Sequence, residues 1–193
     1  MSTSLDSLAE ADRRIDEIEE RLAALKKERG ELRRARPPEP VEDWQLLDLD
    51  GRPVTLSALM GSASELLVIH NMGRGCRYCT LWADGLSGFH RHLESRVPWV
   101  LCSADAPDAA RAFSRERGWP FRVVSGHGSG FAAAMGFAGP DGKPWPGASA
   151  FARGDGGRLV RTGKTSFGPG DDYCAVWPLF ELLQGGTGSW SPR

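Results

Sequence analysis

Hydrophobic positions recur in three different patterns along the chain, and each pattern predicts a different kind of element. Over residues 4–36 the apolar side chains are spaced by three and four, which is the a/d pattern of a heptad helix. Around Asp50-Gly51 apolar and polar residues alternate, as in a two-stranded hairpin. Farther along, Leu66–Met72 and Val97–Ser103 are nearly unbroken apolar runs, which are typical of strands buried on both faces.

The heptad stripe is narrow, and such a stripe suits a partner helix better than a broad core surface. Its members are Leu8, Ala11, Ile15, Ile18, Leu22, Leu25 and Leu32, with Arg29 interrupting the seam. We expect a homodimer through residues 4–36, as a parallel or antiparallel coiled coil. Two alternatives stay open, a helix that folds back on its own domain and a loosely attached arm. Pro37–Pro40 predicts the end of the helix and a stiff linker.

The rest of the chain alternates between strand and helix patterns. Helices are predicted over 57–61, from Cys76 to about Glu94, and over 105–118, 130–135 and 178–184; further strands are predicted over 121–125, 147–151 and 158–161. This alternation predicts an α/β domain with helices on both faces of a sheet. The predicted organisation is residues 1–38 as helix and linker, 39–185 as the α/β domain, and 186–193 as a flexible tail.

Composition narrows the choice of partners and compartment. A net charge of −1 argues against a nucleic-acid or anionic-membrane partner. The N-terminus lacks a basic stretch followed by an apolar one, and no apolar run approaches the ~18 residues of a membrane span. We therefore expect a cytoplasmic protein, in which four cysteines are too few and too scattered for a disulfide scaffold.

The stretch Gly75-Cys76-Arg77-Tyr78-Cys79 follows the first apolar run and opens a helix pattern. Residues three apart on the first helical turn share a face, so the two sulfurs can reach disulfide distance. The helix N-terminus stabilises a thiolate at the first cysteine, where thiol pKa values of ~3.5–7.5 are found. Arg74 and Arg77 are expected to act in the same direction. We predict that Cys76 is a nucleophile and that Cys79 resolves it.

Two alternatives for the cysteine pair stay open, an inert pair and half of a metal site. A zinc site would need two further ligands. His90 and His92 are nearest in sequence, but His90 is ~16 Å along the same helix at 1.5 Å per residue. The two histidines also point to different sides of that helix. No metal is predicted unless Cys102, Cys174 or a second subunit contributes. We expect Cys102 to be a small buried hydrophobe, and Cys174 to lie in a loop.

The chain from Trp44 to Gln184 resembles the thioredoxin superfamily. The resemblance is based on the strand–loop–Cys-x-x-Cys–helix unit, on the opening Asp50-Gly51 hairpin, which looks like alkyl-hydroperoxide-reductase-type (AhpC/TSA-like) members, and on the stretch Pro146–Gly156. The segment Gly75–Asp84, together with the long N-terminal helix, looks like a bacterial thioredoxin-like family of unknown function, family 899. The resemblance implies a three-layer α/β/α sandwich preceded by a long helix.

The resemblance also implies roles for residues near the cysteines. Pro146 would be the cis-proline that shapes the substrate groove, with Pro144 as its competitor. His70, at the position of a buried acid in thioredoxins, would move protons, or else would be a hydrogen-bonded core histidine. Trp82 would pack under the dithiol or form a lip of the groove, and Asp84 would modulate the cysteines or be a surface charge. Tyr78 is expected to be partly exposed beside the sulfurs.

Departures from the family patterns decide between activities. Thioredoxins carry Trp before the first cysteine and Gly-Pro between the pair, where this chain has Gly75 and Arg77-Tyr78. Peroxiredoxins carry Pro and Thr or Ser at positions where this chain has Ile69 and Gly73. We therefore expect a thiol–disulfide oxidoreductase acting on a disulfide-containing protein or small thiol substrate. No organic cofactor is expected, since glutathione or a thioredoxin-type reductant would supply electrons. A thiol peroxidase and a non-catalytic dimeric adaptor are the alternatives.

Overall fold

The first unit of the protein is a single long helix. The computed structural model describes residues 7–193 and separates into two compact units, one up to Pro37 and one from Pro38 to Arg193. Helix α1 runs over Leu8–Ala35 and begins at Ser7, whose hydroxyl accepts a hydrogen bond from the backbone N–H of Glu10 at 3.2 Å. Residues 4–6 of the predicted helix lie outside the described residues. None of the residues of α1 is buried.

The second unit contains one eight-stranded mixed sheet. Its strands are β1 (Glu39–Pro40), β2 (Gln45–Leu47), β3 (Pro53–Thr55), β4 (Glu65–Asn71), β5 (Trp99–Ser103), β6 (Val123–Ser125), β7 (Gly147–Arg153) and β8 (Leu159–Ser166). Their spatial order is β1-β8-β7-β4-β5-β6-β2-β3. The β4, β5 and β6 strands are parallel neighbours, and β7 pairs antiparallel with β4. The predicted Asp50-Gly51 hairpin is present as β2 and β3, and the left-handed φ of +79° at Gly51 suits its turn.

Helices cover both faces of this sheet. They are α2 (Leu56–Met60), α3 (Arg77–Arg96), α4 (Pro107–Arg117), α5 (Phe131–Ala134) and α6 (Val176–Glu181). On one face α3 and α4 bury Ala83, Leu86 and Ala110 against Ile69 and Leu101. On the other face α2 and α5 pack against Leu66, Val68 and Cys102, among other strand residues. The three-layer α/β/α arrangement predicted from the sequence is confirmed.

The pairing register places the chemistry-bearing residues at one edge of the sheet. His70 stands opposite Cys102 on β5 and opposite Gly147 on β7. The loop from β4 to α3 therefore leaves at the carboxyl edge of the parallel strands, where open α/β sheets bind their ligands.

Two segments make contacts that the sequence did not predict. Glu39 and Pro40, predicted as part of a linker, form β1 and pair with Arg161 and Val160 on β8. Residues 186–193, predicted as a flexible tail, include Trp190, whose ring lies 4.9 Å from that of Phe180 between centroids. The β1–β8 pairing joins residues that are distant in sequence, and the Trp190 contact lies at an irregular chain end. The periodicity of the sequence reveals neither kind of contact. Within residues 7–193, no helix combines the length and the apolar character needed to cross a membrane.

Candidate functional site

The two cysteines of the Cys-x-x-Cys stretch lie at the junction between the β4–α3 loop and the first turn of α3. Cys76 is the N-cap residue, and its Sγ accepts a hydrogen bond from the backbone N–H of Cys79 at 3.1 Å. Cys76 is partly exposed, whereas Cys79 is buried. Both are free thiols in this structure. The arrangement thus presents one accessible sulfur and keeps the other behind it.

Hydrogen bonding separates the acidities of the two thiols. The Cys79 thiol, followed by the backbone N–H groups of Cys79 and Tyr78, stabilises the Cys76 thiolate and lowers the pKa of Cys76 to about 6, although partial burial opposes this. The same hydrogen bond to Cys76 and the burial of its own sulfur raise the pKa of Cys79. Neither Arg74 nor Arg77 is among the groups that shift the Cys76 pKa, so the electrostatic role predicted for these two arginines is not what lowers it.

Polar groups from two strand ends hold the loop that precedes Cys76. The amide of Asn71 accepts from the backbone N–H of Gly73 at 2.7 Å and donates to the carbonyl of Cys79 at 3.4 Å. The carboxylate of Asp105, in the loop after β5, accepts from the backbone N–H of Arg74 at 2.7 Å. Gly73 has a φ of +96°, and a Cβ there would lie 2.7 Å from Asp105. The loop geometry therefore depends on a close approach that only glycine permits.

An aromatic cluster supports the first turns of α3. Trp82 is buried there with Trp177 and Cys174, and Tyr78 packs against them. The indole N–H of Trp82 donates to Asp171 at 3.3 Å, and its ring lies 5.4 Å from that of Phe167. Trp82 is 2% exposed, so it is a buried support and not a lip of a groove. Cys174 belongs to this cluster, and burial raises its pKa.

A shallow groove opens at Cys76. Its volume is about 470 Å³, and Met72, Gly75, Arg77, Tyr78 and Ser191 line it with Cys76. Tyr78 is partly exposed, as predicted for this residue. Ser191 belongs to the segment that the sequence suggested was a flexible tail. The groove brings together Gly75, Arg77 and Tyr78, three of the residues predicted around the sulfurs, while Arg74 is exposed in the preceding loop.

The proton-transfer role predicted for His70 is wrong, because its side chain points to the other face of the sheet. Successive residues of a strand point to opposite faces. Asn71 reaches Cys79 on α3, whereas the His70 ring stacks on Phe131 and Phe137, the latter at 4.0 Å between centroids. Burial, and secondarily the charge of Arg161, lower the pKa of His70 to about 3. The alternative interpretation, a hydrogen-bonded core histidine, describes it correctly.

Two further predicted roles need correction. No peptide bond within residues 7–193 is cis, so Pro146 is not a cis-proline, and it does not line the groove at Cys76. Pro146 instead precedes β7 and accepts a backbone hydrogen bond from Phe167 at 3.0 Å. Asp84 forms an ion pair with Arg117 and accepts from the indole N–H of Trp119 at 2.8 Å. Its carboxylate thus ties α3 to the end of α4 and is not among the groups that shift either cysteine pKa.

Sequence reasoning missed Asn71, Asp105 and Asp171. Each of these side chains hydrogen-bonds either to a segment that is distant in sequence or to the backbone of its own loop, and none of them belongs to a motif. A signal was present for the first two, because each is a polar residue at or just after the carboxyl end of a buried parallel strand, where ligand-binding and catalytic groups collect. No group of three or more His, Cys, Asp or Glu side chains in residues 7–193 is arranged to hold a metal ion.

Solved structures with a similar fold include redox proteins and uncharacterised proteins. A peroxidoxin BcpB from Mycobacterium tuberculosis is 22% identical with a TM-score of 0.53, over 67% of this chain and 84% of that one. Reduced Prx3 from Vibrio vulnificus, solved in complex with H₂O₂, is 13% identical with a TM-score of 0.54, over 69% and 88%. A hypothetical protein from Sinorhizobium meliloti is 16% identical with a TM-score of 0.50, over 81% and 86%. At these identities the likeness establishes the fold.

Comparison with protein families and with curated proteins gives two different results. None of the curated proteins matches the chain. The family model described as "Bacterial protein of unknown function (DUF899)" matches residues 4–189, which is nearly the whole chain. The family predicted from the residues around Cys76 is confirmed by this match, and the solved structures confirm the predicted fold. The chain belongs to this bacterial family, and its second unit has the thioredoxin fold.

Proposed function

We propose that the protein is a thiol–disulfide oxidoreductase in which Cys76 is the nucleophile and Cys79 the resolving thiol. The observation that carries the proposal is the environment of Cys76. Its sulfur is accessible from a groove, caps a helix, and accepts hydrogen bonds that bring its pKa to about 6. Most of this thiol is therefore ionised at neutral pH, and the thiolate is the form that attacks a disulfide.

The reaction proceeds in two exchanges. The Cys76 thiolate attacks one sulfur of the substrate disulfide, the substrate S–S bond breaks, and the departing sulfur takes a proton from water. Cys79 then loses its proton and attacks the Cys76 sulfur, which forms the Cys76–Cys79 disulfide and releases the second substrate thiol. The substrate gains two electrons, and a thiol reductant of the glutathione or thioredoxin type restores the dithiol. Such a thiol pool is a property of the cytoplasm, which is the compartment we propose.

The raised pKa of Cys79 fits the order of these exchanges. While Cys76 is a thiolate, the Cys79 thiol donates a hydrogen bond to it and stays protonated. Once the Cys76 sulfur is part of a mixed disulfide, that negative charge is gone and the Cys79 pKa falls. The resolving thiol thus ionises after the nucleophile has reacted. The shallow groove suits a substrate disulfide carried on an extended or small molecule, and Arg77 at its wall favours an acidic one.

The test is a redox titration of the reduced protein with mass labelling of its free thiols. We expect a reversible two-electron transition between about −120 and −270 mV. The variant Cys79→Ser should trap a mixed disulfide at Cys76, and Cys76→Ser should abolish reduction of a model disulfide. Cys174→Ser is the matched control, and it should show the same redox transition and the same reduction of the model disulfide as the wild-type protein. Absence of any Cys76–Cys79 disulfide across this range would contradict the proposal and favour the non-catalytic adaptor.

A thiol peroxidase is the second candidate, supported by the fold shared with the peroxidoxin and Prx3 structures. The site itself argues against this candidate, because Ile69 and Gly73 occupy the positions of the peroxiredoxin Pro and Thr or Ser. The measurement is consumption of hydrogen peroxide by the reduced protein under the same thiol reductant. Peroxide turnover faster than disulfide reduction would replace the first proposal with this one.

The partner we propose for α1 is a second copy of the chain. The large aliphatic residues of its heptad stripe are about half exposed or more, from Leu22 at 48% to Leu8 at 79%. In a parallel pair the flanking positions place Arg14 beside Glu19 of the second copy and Glu28 beside Arg33, while Arg21 meets Lys26. Two attractive contacts outweigh one repulsive contact, and the charges thus complement a second copy.

Sedimentation measurements test this pairing. We expect the wild-type protein to sediment as a dimer and Ile18→Glu, in the stripe, to sediment as a monomer. Ala24→Glu introduces the same charge on the outer side of α1 and should remain dimeric. A wild-type monomer at micromolar concentration would contradict the pairing without bearing on the dithiol chemistry.

A further inference from the structure

A second opening lies at the carboxyl edge of the sheet, on the α5 face. It is a cavity of about 240 Å³ between the ends of β4 and β5, the loop after β6, helix α5 and residues 138–145. Neither Cys76 nor Cys79 lines it. An engineered apolar cavity of ~150 Å³ holds a benzene molecule, so this cavity is large enough for a substituted ring.

Three buried polar residues line this cavity. The side chains of Asn71 and Ser103 already hydrogen-bond to backbone N–H groups in the loops after β4 and β5, which leaves His70. Its side chain is 3% exposed, its ring is fixed between Phe131 and Phe137, and its Nε2 lies 2.9 Å from the Oγ of Ser149. Gly147 makes this packing possible, because a Cβ at that position would overlap the Phe137 ring. The histidine is therefore held in one orientation by contacts that belong to the core.

The hydrogen bond to Ser149 determines which nitrogen of His70 carries the proton. Ser149 is fully buried, and within residues 7–193 the only hydrogen-bond partner of its hydroxyl is His70. A buried hydroxyl proton without an acceptor is costly, so the hydroxyl donates to Nε2 and the hydrogen of the neutral ring lies on Nδ1. In the described part of the chain, Nδ1 has no hydrogen-bond partner, and this atom is not fully buried. The Nδ1–H group is therefore accessible from the cavity that His70 lines.

Most of the other walls are apolar, and the second imidazole of the lining, His127, has its Nδ1 3.2 Å from the carbonyl oxygen of Ala104. Cys102 presents a thiol whose pKa burial raises to about 12, so it is neutral. Ala132, Ala138 and Pro144 supply aliphatic surface, and the ring of Trp145 is half exposed at the cavity. A charged ligand would lose its hydration here without an opposite charge to replace it. The chemistry of the walls favours a flat, uncharged molecule with a single acceptor.

We propose that this cavity binds a small uncharged organic molecule of ring size, whose carbonyl oxygen accepts a hydrogen bond from the Nδ1–H of His70. The ring lies against Trp145 and the alanine side chains, and the carbonyl points toward the sheet. This site is separate from the dithiol, on the opposite face of the same sheet edge.

The test uses acetophenone and ethylbenzene, which share their ring and overall shape and differ in the carbonyl oxygen. Binding is measured by saturation-transfer NMR on the full chain, with the imidazole N–H resonance of His70 followed in the same titration. We expect acetophenone to bind about two- to tenfold more tightly than ethylbenzene, since a net hydrogen bond contributes ~0.5–1.5 kcal/mol. The His70 N–H resonance should shift with acetophenone alone.

Matched variants locate the site. Ala133→Phe places a ring in the cavity wall from an exposed position of α5 and should abolish binding, whereas Ala134→Phe adds the same ring outside the lining and should not. Trp145→Ala should weaken binding even if Ala133→Phe fails to fold. Cys76→Ser/Cys79→Ser should bind as the wild type does, which separates this result from the oxidoreductase test. No binding of either probe, equal binding of both, or wild-type binding by Ala133→Phe would each overturn the proposal.

Discussion

Cys76 and Cys102 lie near the same edge of the same sheet, yet their surroundings give them opposite chemistry. Cys76 caps α3, is partly exposed, and has a pKa of about 6 because hydrogen bonds stabilise its thiolate. Cys102 lies in β5 and points to the α5 face, where burial alone raises its pKa to about 12. The difference shows that hydrogen-bond donors and water, and not position along the edge, determine which thiol reacts.

The largest expected effect is the difference in alkylation rate between these two cysteines. At pH 7 iodoacetamide should modify Cys76 at least about a hundredfold faster than Cys102. The difference in thiolate fraction favours Cys76 by more than the lower nucleophilicity of an acidic thiol offsets, and the burial of Cys102 adds to it. The Cys76 rate should fall as the pH decreases through about 6. Peptide mapping by mass spectrometry gives both rates, and a Cys76 midpoint near that of an ordinary thiol would contradict the described hydrogen bonds.

A second prediction concerns the stability of the α5 face at low pH. His70 has a folded-state pKa of about 3, below its ordinary value of 6.5, so the unfolded chain binds the proton more readily. Its contribution to stability is complete above pH 6.5 and is lost as the pH falls toward 3. Between pH 7 and pH 4 this group should lower the free energy of unfolding by about 3 kcal/mol. Urea denaturation at the two pH values provides the measurement.

Two histidine variants separate this effect from general acid denaturation. His70→Gln should reduce the difference in unfolding free energy between pH 7 and pH 4. His92→Gln removes an exposed histidine from α3 and should leave that difference unchanged. An equal pH dependence in all three proteins would show that His70 is protonated without loss of the fold.

The smallest expected effect concerns the loop on the α3 face. Gly73→Ala should destabilise the protein by about 2 kcal/mol, because alanine is strained at a φ of +96° and its Cβ would meet Asp105. Gly75→Ala, two residues later, has open space around its Cβ and serves as the control. Thermal unfolding measures the loss, and the alkylation rate of Cys76 should fall in the first variant alone. Equal behaviour of the two variants would mean that Asp105 does not hold this loop.

The sequence predicted the dithiol and missed the side of the sheet on which His70 lies. The strand–loop–helix unit around Cys76 is local, so periodicity and spacing suffice to find it. An unbroken apolar run, by contrast, has no polar face, and Leu66–Met72 therefore gives no indication of which residues point toward α3. Asp105 binds the Arg74 backbone across 31 residues, and Trp190 reaches the Phe180 ring from a glycine-rich end. Contacts of this kind arise from tertiary packing and carry no local pattern.

The two-residue strand β1 bears on how the domain avoids self-association. An edge strand with open N–H and C=O groups is a template for pairing with another chain. Glu39 and Pro40 cover part of the β8 edge, and the Glu39 carboxylate binds the guanidinium of Arg161, which is 4% exposed, at 2.8 Å. A truncation that removes α1 but keeps Glu39 preserves this cover. A truncation beyond Pro40 uncovers the edge and leaves a buried cation without its counterion, and such a shortened chain is expected to aggregate.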